Sequence, residues 1–173
     1  MFRKARLVSF VICFTLCLSN SFAQERQGEI SVSPLALTYD GYNIQGQYFF
    51  EPQISAGLEY YNRKYTYGGI TLNTTTWIPF ARYYLENKPQ SFFGKTGYFM
   101  MTLSAKSGGQ SASGNFAGPL FGGGYNWLWE NGLSIDAGYE VAFVTGEIEF
   151  DDGTKVPVQG GVGGIIFRVG YAF

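Results

Sequence analysis

The last ten residues of the chain, 164–173, constrain its fold more than any other stretch. They read Gly-Ile-Ile-Phe-Arg-Val-Gly-Tyr-Ala-Phe. In an extended strand, successive side chains point to opposite faces. One face then carries Ile165, Phe167, Val169, Tyr171 and Phe173, and the other carries Ile166, Arg168, Gly170 and Ala172. This alternation predicts a β-strand with one apolar face, ending on an aromatic residue.

Similar alternation recurs along the chain and predicts eight strands. They cover residues 28–38, 42–49, 53–63, 75–85, 92–106, 116–128, 133–149 and 164–173. The connections after the second, fourth and sixth strands are short. Those after the third, fifth and seventh, residues 64–74, 107–115 and 150–163, are longer and are predicted to be loops; the first two are rich in Gly, Ser and Thr, and the third carries Asp151-Asp152-Gly153 and Pro157. We therefore expect an all-β chain of eight antiparallel up-and-down strands.

The first 23 residues have the pattern of a cleaved secretory signal peptide. A basic segment at 2–6 precedes an apolar run at 7–18, and Ser21-Phe22-Ala23 supplies small residues at the cleavage position. Cleavage would leave a single domain, residues 24–173. Both cysteines, Cys13 and Cys17, lie in this leader and follow bulky residues, which disfavours lipid attachment.

The charge balance of residues 24–173 argues against nucleic-acid binding. Arg3, Lys4 and Arg6 belong to the leader, so nine of the twelve basic residues remain against thirteen acidic residues. A nucleic-acid-binding domain would usually carry a basic face. Beyond the leader, no apolar run is long enough for a membrane-spanning helix, so entry into a membrane would require a closed β-barrel.

Charged residues on the predicted strands indicate which face points inward. A lysine or arginine on the lipid face near the bilayer centre costs about 2–4 kcal/mol. The charged residues opposite the apolar stripes are Glu59, Arg82, Asp136, Glu140 and Arg168. We expect them to form a polar network in the lumen of a transmembrane β-barrel. A turn around residues 69–72 would place Glu59 opposite Arg82.

Aromatic side chains near the short connections are predicted to lie at the membrane interface. They are Tyr48, Phe50, Phe93, Trp127, Trp129, Tyr171 and Phe173. The alternative is a soluble lipocalin-like barrel in which the aromatic stripes form the core. The polar faces argue against it, because they hold Gly, Ser, Thr, Asn and Gln where a water-facing surface would carry many Lys and Glu.

Together, the leader, the eight alternating strands and the terminal Phe173 resemble the small eight-stranded outer-membrane β-barrels, the OmpA/OmpX-type and opacity-type surface proteins. The resemblance implies an outer-membrane location, contact with outer-membrane lipid and lipopolysaccharide, help from the barrel-assembly machinery, and a possible host or cell-surface ligand. Arg168 departs from the family pattern, which often has glycine at the equivalent place in the terminal strand.

The sequence favours a non-enzymatic protein without a cofactor. It contains no histidine, which removes Ser-His-Asp catalysis and His-ligated metal sites. Asp136 and Glu140 are four residues apart on one predicted strand, about 13 Å, too far for an acid/base pair. A weaker candidate for a cation site is the acidic run of Glu147, Glu149, Asp151 and Asp152, which is more often a solvated loop.

We therefore expect a structural, envelope-integrity or surface-interaction role. The alternatives are a small-solute conduit and a soluble periplasmic lipid-binding barrel.

Overall fold

A computed structural model of the chain describes residues 26–38, 40–86, 90–107 and 109–173. The predicted signal peptide, residues 1–23, lies outside the described residues. The described elements are β1 (Gly28–Val32), α1 (Pro34–Thr38), β2 (Gly41–Glu51), β3 (Ile54–Tyr67), β4 (Ile70–Tyr84), β5 (Phe92–Ser107), β6 (Gln110–Leu128), β7 (Leu133–Phe150) and β8 (Lys155–Ala172). Within the described ranges, no helix has the length and apolar character needed to cross a membrane.

The eight strands form a closed ring. Each strand pairs antiparallel with the next, and β1 pairs with β8. Backbone hydrogen bonds at the terminus complete the closure: Phe173 N donates to Gly28 O at 2.8 Å, and Phe173 O accepts from Gln27 N at 2.9 Å. The prediction of eight antiparallel up-and-down strands is confirmed. We call one end of the ring the base: it holds the start of β1, the end of β8 and the turns at 52–53 and 129–132. We call the opposite end the tips.

The first strand is shorter than predicted, because the chain leaves the sheet after Val32 and forms α1. Proline suits the first turn of a helix, where its missing N–H would have no intrahelical partner. Ala36 N donates to Ser33 O at 3.2 Å, and Thr38 Oγ1 donates to Leu35 O at 2.7 Å. The predicted strand over residues 34–38 is therefore wrong.

The predicted long loops at 64–74, 107–115 and 150–163 are also wrong, because the strands continue through them as paired hairpins; β8 begins at Lys155, opposite Glu149. Gly68 and Gly69 make a two-residue turn with φ angles of 57° and 81°, and Gly109 has a φ of 88°. Glycine adopts such positive φ angles without steric cost. The strands therefore pair up to the tips, and the longest connections join β1 to β2 and β4 to β5.

The position of this turn changes the predicted pairing between β3 and β4. Glu59 lies opposite Ile78, and Arg82 lies opposite Ser55. The turn is centred on Gly68 and Gly69 and not on residues 69–72. Each β3 residue therefore pairs with a β4 residue four positions earlier than predicted. The predicted pairing of Glu59 with Arg82 is therefore wrong.

The ring is not of equal height all round. β1 pairs with β8 only through residues 169–172, and β2 begins at Gly41, opposite Arg63. In the described part of the chain, residues 64–67 of β3 and 155–168 of β8 therefore have no strand partner on their outer edges. The strands β3 to β8 rise toward the tips as an open, six-stranded sheet, which we call the extension.

Candidate functional site

Near the base, the inner face of the ring carries a layer of buried charged side chains. The five residues singled out from the sequence all lie there: Glu59, Arg82, Asp136 and Arg168 are fully buried, and the Glu140 side chain is 14% exposed. Glu29 and Lys95 join them, with 2% and 3% exposure. Strand alternation could have indicated both, since Glu29 and Lys95 lie on the faces of their strands that point away from the apolar residues Ile30 and Tyr98.

The Glu59 carboxylate holds the centre of this polar layer. Its Oε2 lies 2.8 Å from Lys95 Nζ, and its Oε1 accepts from Arg168 Nη2 and, at 2.8 Å, from Asn43 Nδ2. Lys95 Nζ is also 2.8 Å from Glu140 Oε2, and Arg168 Nη2 is 3.7 Å from Glu140 Oε1. Two carboxylates and two cations therefore form a closed cycle that links β3, β5, β7 and β8.

A second ion pair lies beside this cycle. Arg82 Nη1 is 2.8 Å from Asp136 Oδ2, and Arg82 Nη2 donates to Gln45 Oε1 at 3.0 Å. Asn126 Nδ2 donates to the other Asp136 oxygen at 2.6 Å. The guanidinium carbon of Arg82 also lies 4.4 Å from the centroid of the Phe93 ring, an arrangement that favours a desolvated cation.

Glu29 is held by neutral donors. Its two carboxylate oxygens accept from Gln47 Nε2 and from Ser134 Oγ, each at 3.0 Å. Gln47 in turn accepts from Ser55 Oγ at 3.0 Å. With these contacts, every one of the eight strands contributes at least one side chain to the polar layer. The layer crosslinks the ring and fills its interior near the base.

Most of the aromatic residues singled out from the sequence lie on the outer surface near the base. Tyr48, Phe50, Trp127, Trp129 and Phe173 are 40–65% exposed, and Tyr171 is half-buried. Phe93 does not lie with them. It is 4% exposed and packs inside the ring against Phe49 and Tyr84, because its neighbour Phe92 occupies the outward position.

Each acidic side chain at the tip of β7 contacts another residue of the protein. Glu147 and Glu149 lie 3.9 Å and 3.3 Å from Lys155 Nζ. Asp151 accepts from the backbone N and the hydroxyl of Ser111, and Asp152 Oδ1 accepts from Thr154 N at 2.8 Å. Across the described ranges, no three acidic side chains lie close enough together to hold a metal ion.

The contact between Asp151 and Ser111 predicts an acidic titration. Hydrogen bonds from Ser111 hold the pKa of Asp151 below its ordinary value, because they stabilise the carboxylate. The contact should therefore stabilise the β6–β7 tip above the ordinary aspartate pKa and lose that effect as the pH falls. Ser111→Ala should raise the Asp151 pKa, measured by NMR of the side-chain carboxyl, whereas Ser113→Ala should leave it unchanged. Equal values in both variants would contradict this assignment.

Comparison of the chain with known protein families gives no matching family, and comparison with curated proteins gives no matching relative.

Proposed function

We propose that this chain is a non-enzymatic integral outer-membrane β-barrel whose ring spans the bilayer. One observation carries the proposal: charged side chains are buried inside the ring while large apolar side chains cover its outside. Leu58, Tyr98, Phe121 and Phe143 are 46–56% exposed on the outer face. Such an arrangement is unfavourable in water and suits a lipid-facing wall.

The outward-facing charges support the same placement. Toward the tips, the first outward charges on β3, β5 and β7 are Lys64, Lys106 and Glu147, all exposed. At the base, the exposed and outward-facing Glu51 marks the other limit of the uncharged outer surface. Between these limits, the outward positions of the described strands carry no charged side chain; most are aromatic, aliphatic, small or hydroxyl residues, and the amides Asn62, Asn115 and Gln159 lie toward the tips. An uncharged belt with aromatic residues toward one rim is the expected surface of a membrane-embedded ring.

The alternatives fit these contacts less well. A small-solute conduit needs an open lumen, whereas the polar layer joins all eight strands across the interior. A soluble carrier would expose its charges and bury its aromatic residues, the reverse of the arrangement near the base. We favour a sealed wall that supports the envelope and presents the extension, with its polar outer face, to surface partners such as lipopolysaccharide or a host ligand.

Membrane insertion is tested with residues 24–173 refolded into phosphatidylcholine vesicles. We expect the protein to float with the vesicles, to resist extraction by alkaline carbonate, and to migrate faster on a gel before boiling than after it. Entrapped glucose should leak no faster than from empty vesicles. A folded, monomeric protein that stays in the aqueous fraction would contradict the proposal, and rapid glucose leakage would favour the conduit.

A further inference from the structure

Toward the tips, the interior of the ring changes from polar to apolar. A buried cluster of Ile78, Phe80, Phe99, Phe116, Leu120, Ala142 and Val144 lies above the polar layer. Met101, Leu103, Ile148 and Val158 pack on this cluster and are only partly buried. Along β5–β8, the interior surface that continues into the extension is therefore mainly aliphatic and aromatic, whereas Arg63 on β3 and Thr74 and Thr76 on β4 place polar groups on its other side.

The charged face of the sheet points inward near the base and outward in the extension. In the extension the outer face carries Lys64, Lys106, Ser113, Glu149 and Lys155, all exposed. The inner face carries Ile70, Phe150, Val156 and Val162, which are 43–46% exposed. Strand alternation places each of these four on the same face as the cluster. A contiguous exposed apolar face of this kind usually marks a binding surface.

This apolar inner face opens sideways along the unpaired edge of β8. β1 ends at Val32, and α1 lies beside β8 with Leu35 and Leu37 41% and 48% exposed. Along the β8 edge, a Cβ atom at Gly160, Gly161 or Gly164 would meet no atom within 4 Å. The edge therefore carries little side-chain bulk that would separate the inside from the outside.

The outer surface beside this edge is apolar. Ile165, on the outward face of β8, is 74% exposed, and Val162, on the inward face, is 46% exposed. An apolar path therefore runs from the lipid-facing belt, past the glycines, to the inner face of the extension.

We propose that this inner face holds an acyl chain of a membrane lipid, which enters sideways past the β8 edge. The inference rests on the proposed membrane insertion. Its occupant follows from the surface: a floor of Leu, Ile, Val, Phe and Met side chains suits a hydrocarbon chain, and the path to it begins at the lipid-facing belt. The headgroup then stays outside, beside the exposed edge.

Labelled cysteines test this proposal, because residues 24–173 contain no cysteine. Three single variants carry a bimane fluorophore: Ile148→Cys on the inner face, Ser113→Cys on the outer face of the same hairpin, and Tyr98→Cys in the belt. Gly114, the neighbour of Ser113, pairs with Ile148, so the first two labels lie at similar heights. The vesicles contain phosphatidylcholine with a nitroxide on its acyl chain, which quenches bimane on contact.

We expect equal loss of fluorescence at positions 98 and 148 and none at 113. Leu103→Cys provides a second inner-face label if the variant at 148 does not fold. Quenching at 98 without quenching at 148 or 103 would overturn the acyl-chain proposal and leave membrane insertion standing. No quenching at 98 would overturn membrane insertion itself, and with it this inference.

Narrowing the side entrance tests the route. Gly164→Leu should reduce quenching at 148 and leave quenching at 98 unchanged. Gly94→Leu is the matched control, because Gly94 lies on β5, away from the unpaired edge, and its Cβ would likewise meet no atom within 4 Å. Undiminished quenching at 148 in the Gly164→Leu protein would overturn the sideways entry.

Discussion

Replacing Glu59 by glutamine should lower the free energy of unfolding by about 3–5 kcal/mol, the cost of breaking a buried ion pair by removing one partner. The Glu59 carboxylate contacts both Lys95 and Arg168, and when side-chain atoms alone are counted, all three residues are at most 1% exposed. Glutamine keeps the size of the side chain and removes its charge. Two buried cations would then share the single carboxylate of Glu140.

The measurement is urea unfolding of the protein in lipid vesicles, followed by tryptophan fluorescence. Glu149→Gln is the matched control, because it removes an ion pair with Lys155 whose side chains are more than half exposed. Exposed pairs contribute about 0–1 kcal/mol. If Glu59→Gln costs no more than Glu149→Gln, the polar layer does not hold the ring together in the way that its contacts indicate.

Alternation was sufficient to predict which charged residues face inward, because a strand has only two faces and a one-residue error would move every side chain to the other face. The rule that apolar stripes face outward failed on β5. Its inner face carries Phe93, Lys95 and Phe99, and its outer face carries Phe92 and Tyr98. Both faces are apolar there, so only the neighbouring strands determine which one is enclosed.

Turns and register were less predictable for a different physical reason. Several consecutive residues of the 64–74 segment can form a turn, and each choice moves every cross-strand pair. The Gly68-Gly69 turn was therefore missed, and with it the true partners of Glu59. The apolar inner face of the extension was missed for the same reason, because residues assigned to loops have no assigned face.

Placing a lysine on the apolar outer face of the ring, the proposed lipid-facing belt, should be the second most damaging change. Phe121 is 52% exposed on the outer face of β6. It lies midway along the strand between Trp127, at the aromatic rim, and Asn115, the first polar outward residue toward the tip. It is therefore expected near the centre of the bilayer, where lysine costs about 2–4 kcal/mol in folding free energy.

The same urea titration in vesicles measures this cost. Phe121→Leu keeps an apolar side chain and should fold with nearly the original stability. Ser113→Lys places the charge on the same face of the same strand, but in the exposed outer face of the extension, where water solvates it. A large loss for Phe121→Lys beside a negligible loss for Ser113→Lys would locate the bilayer between these two positions. Equal, small losses would mean that water surrounds both, because only a hydrocarbon environment makes the outward charge costly at one position and harmless eight residues away.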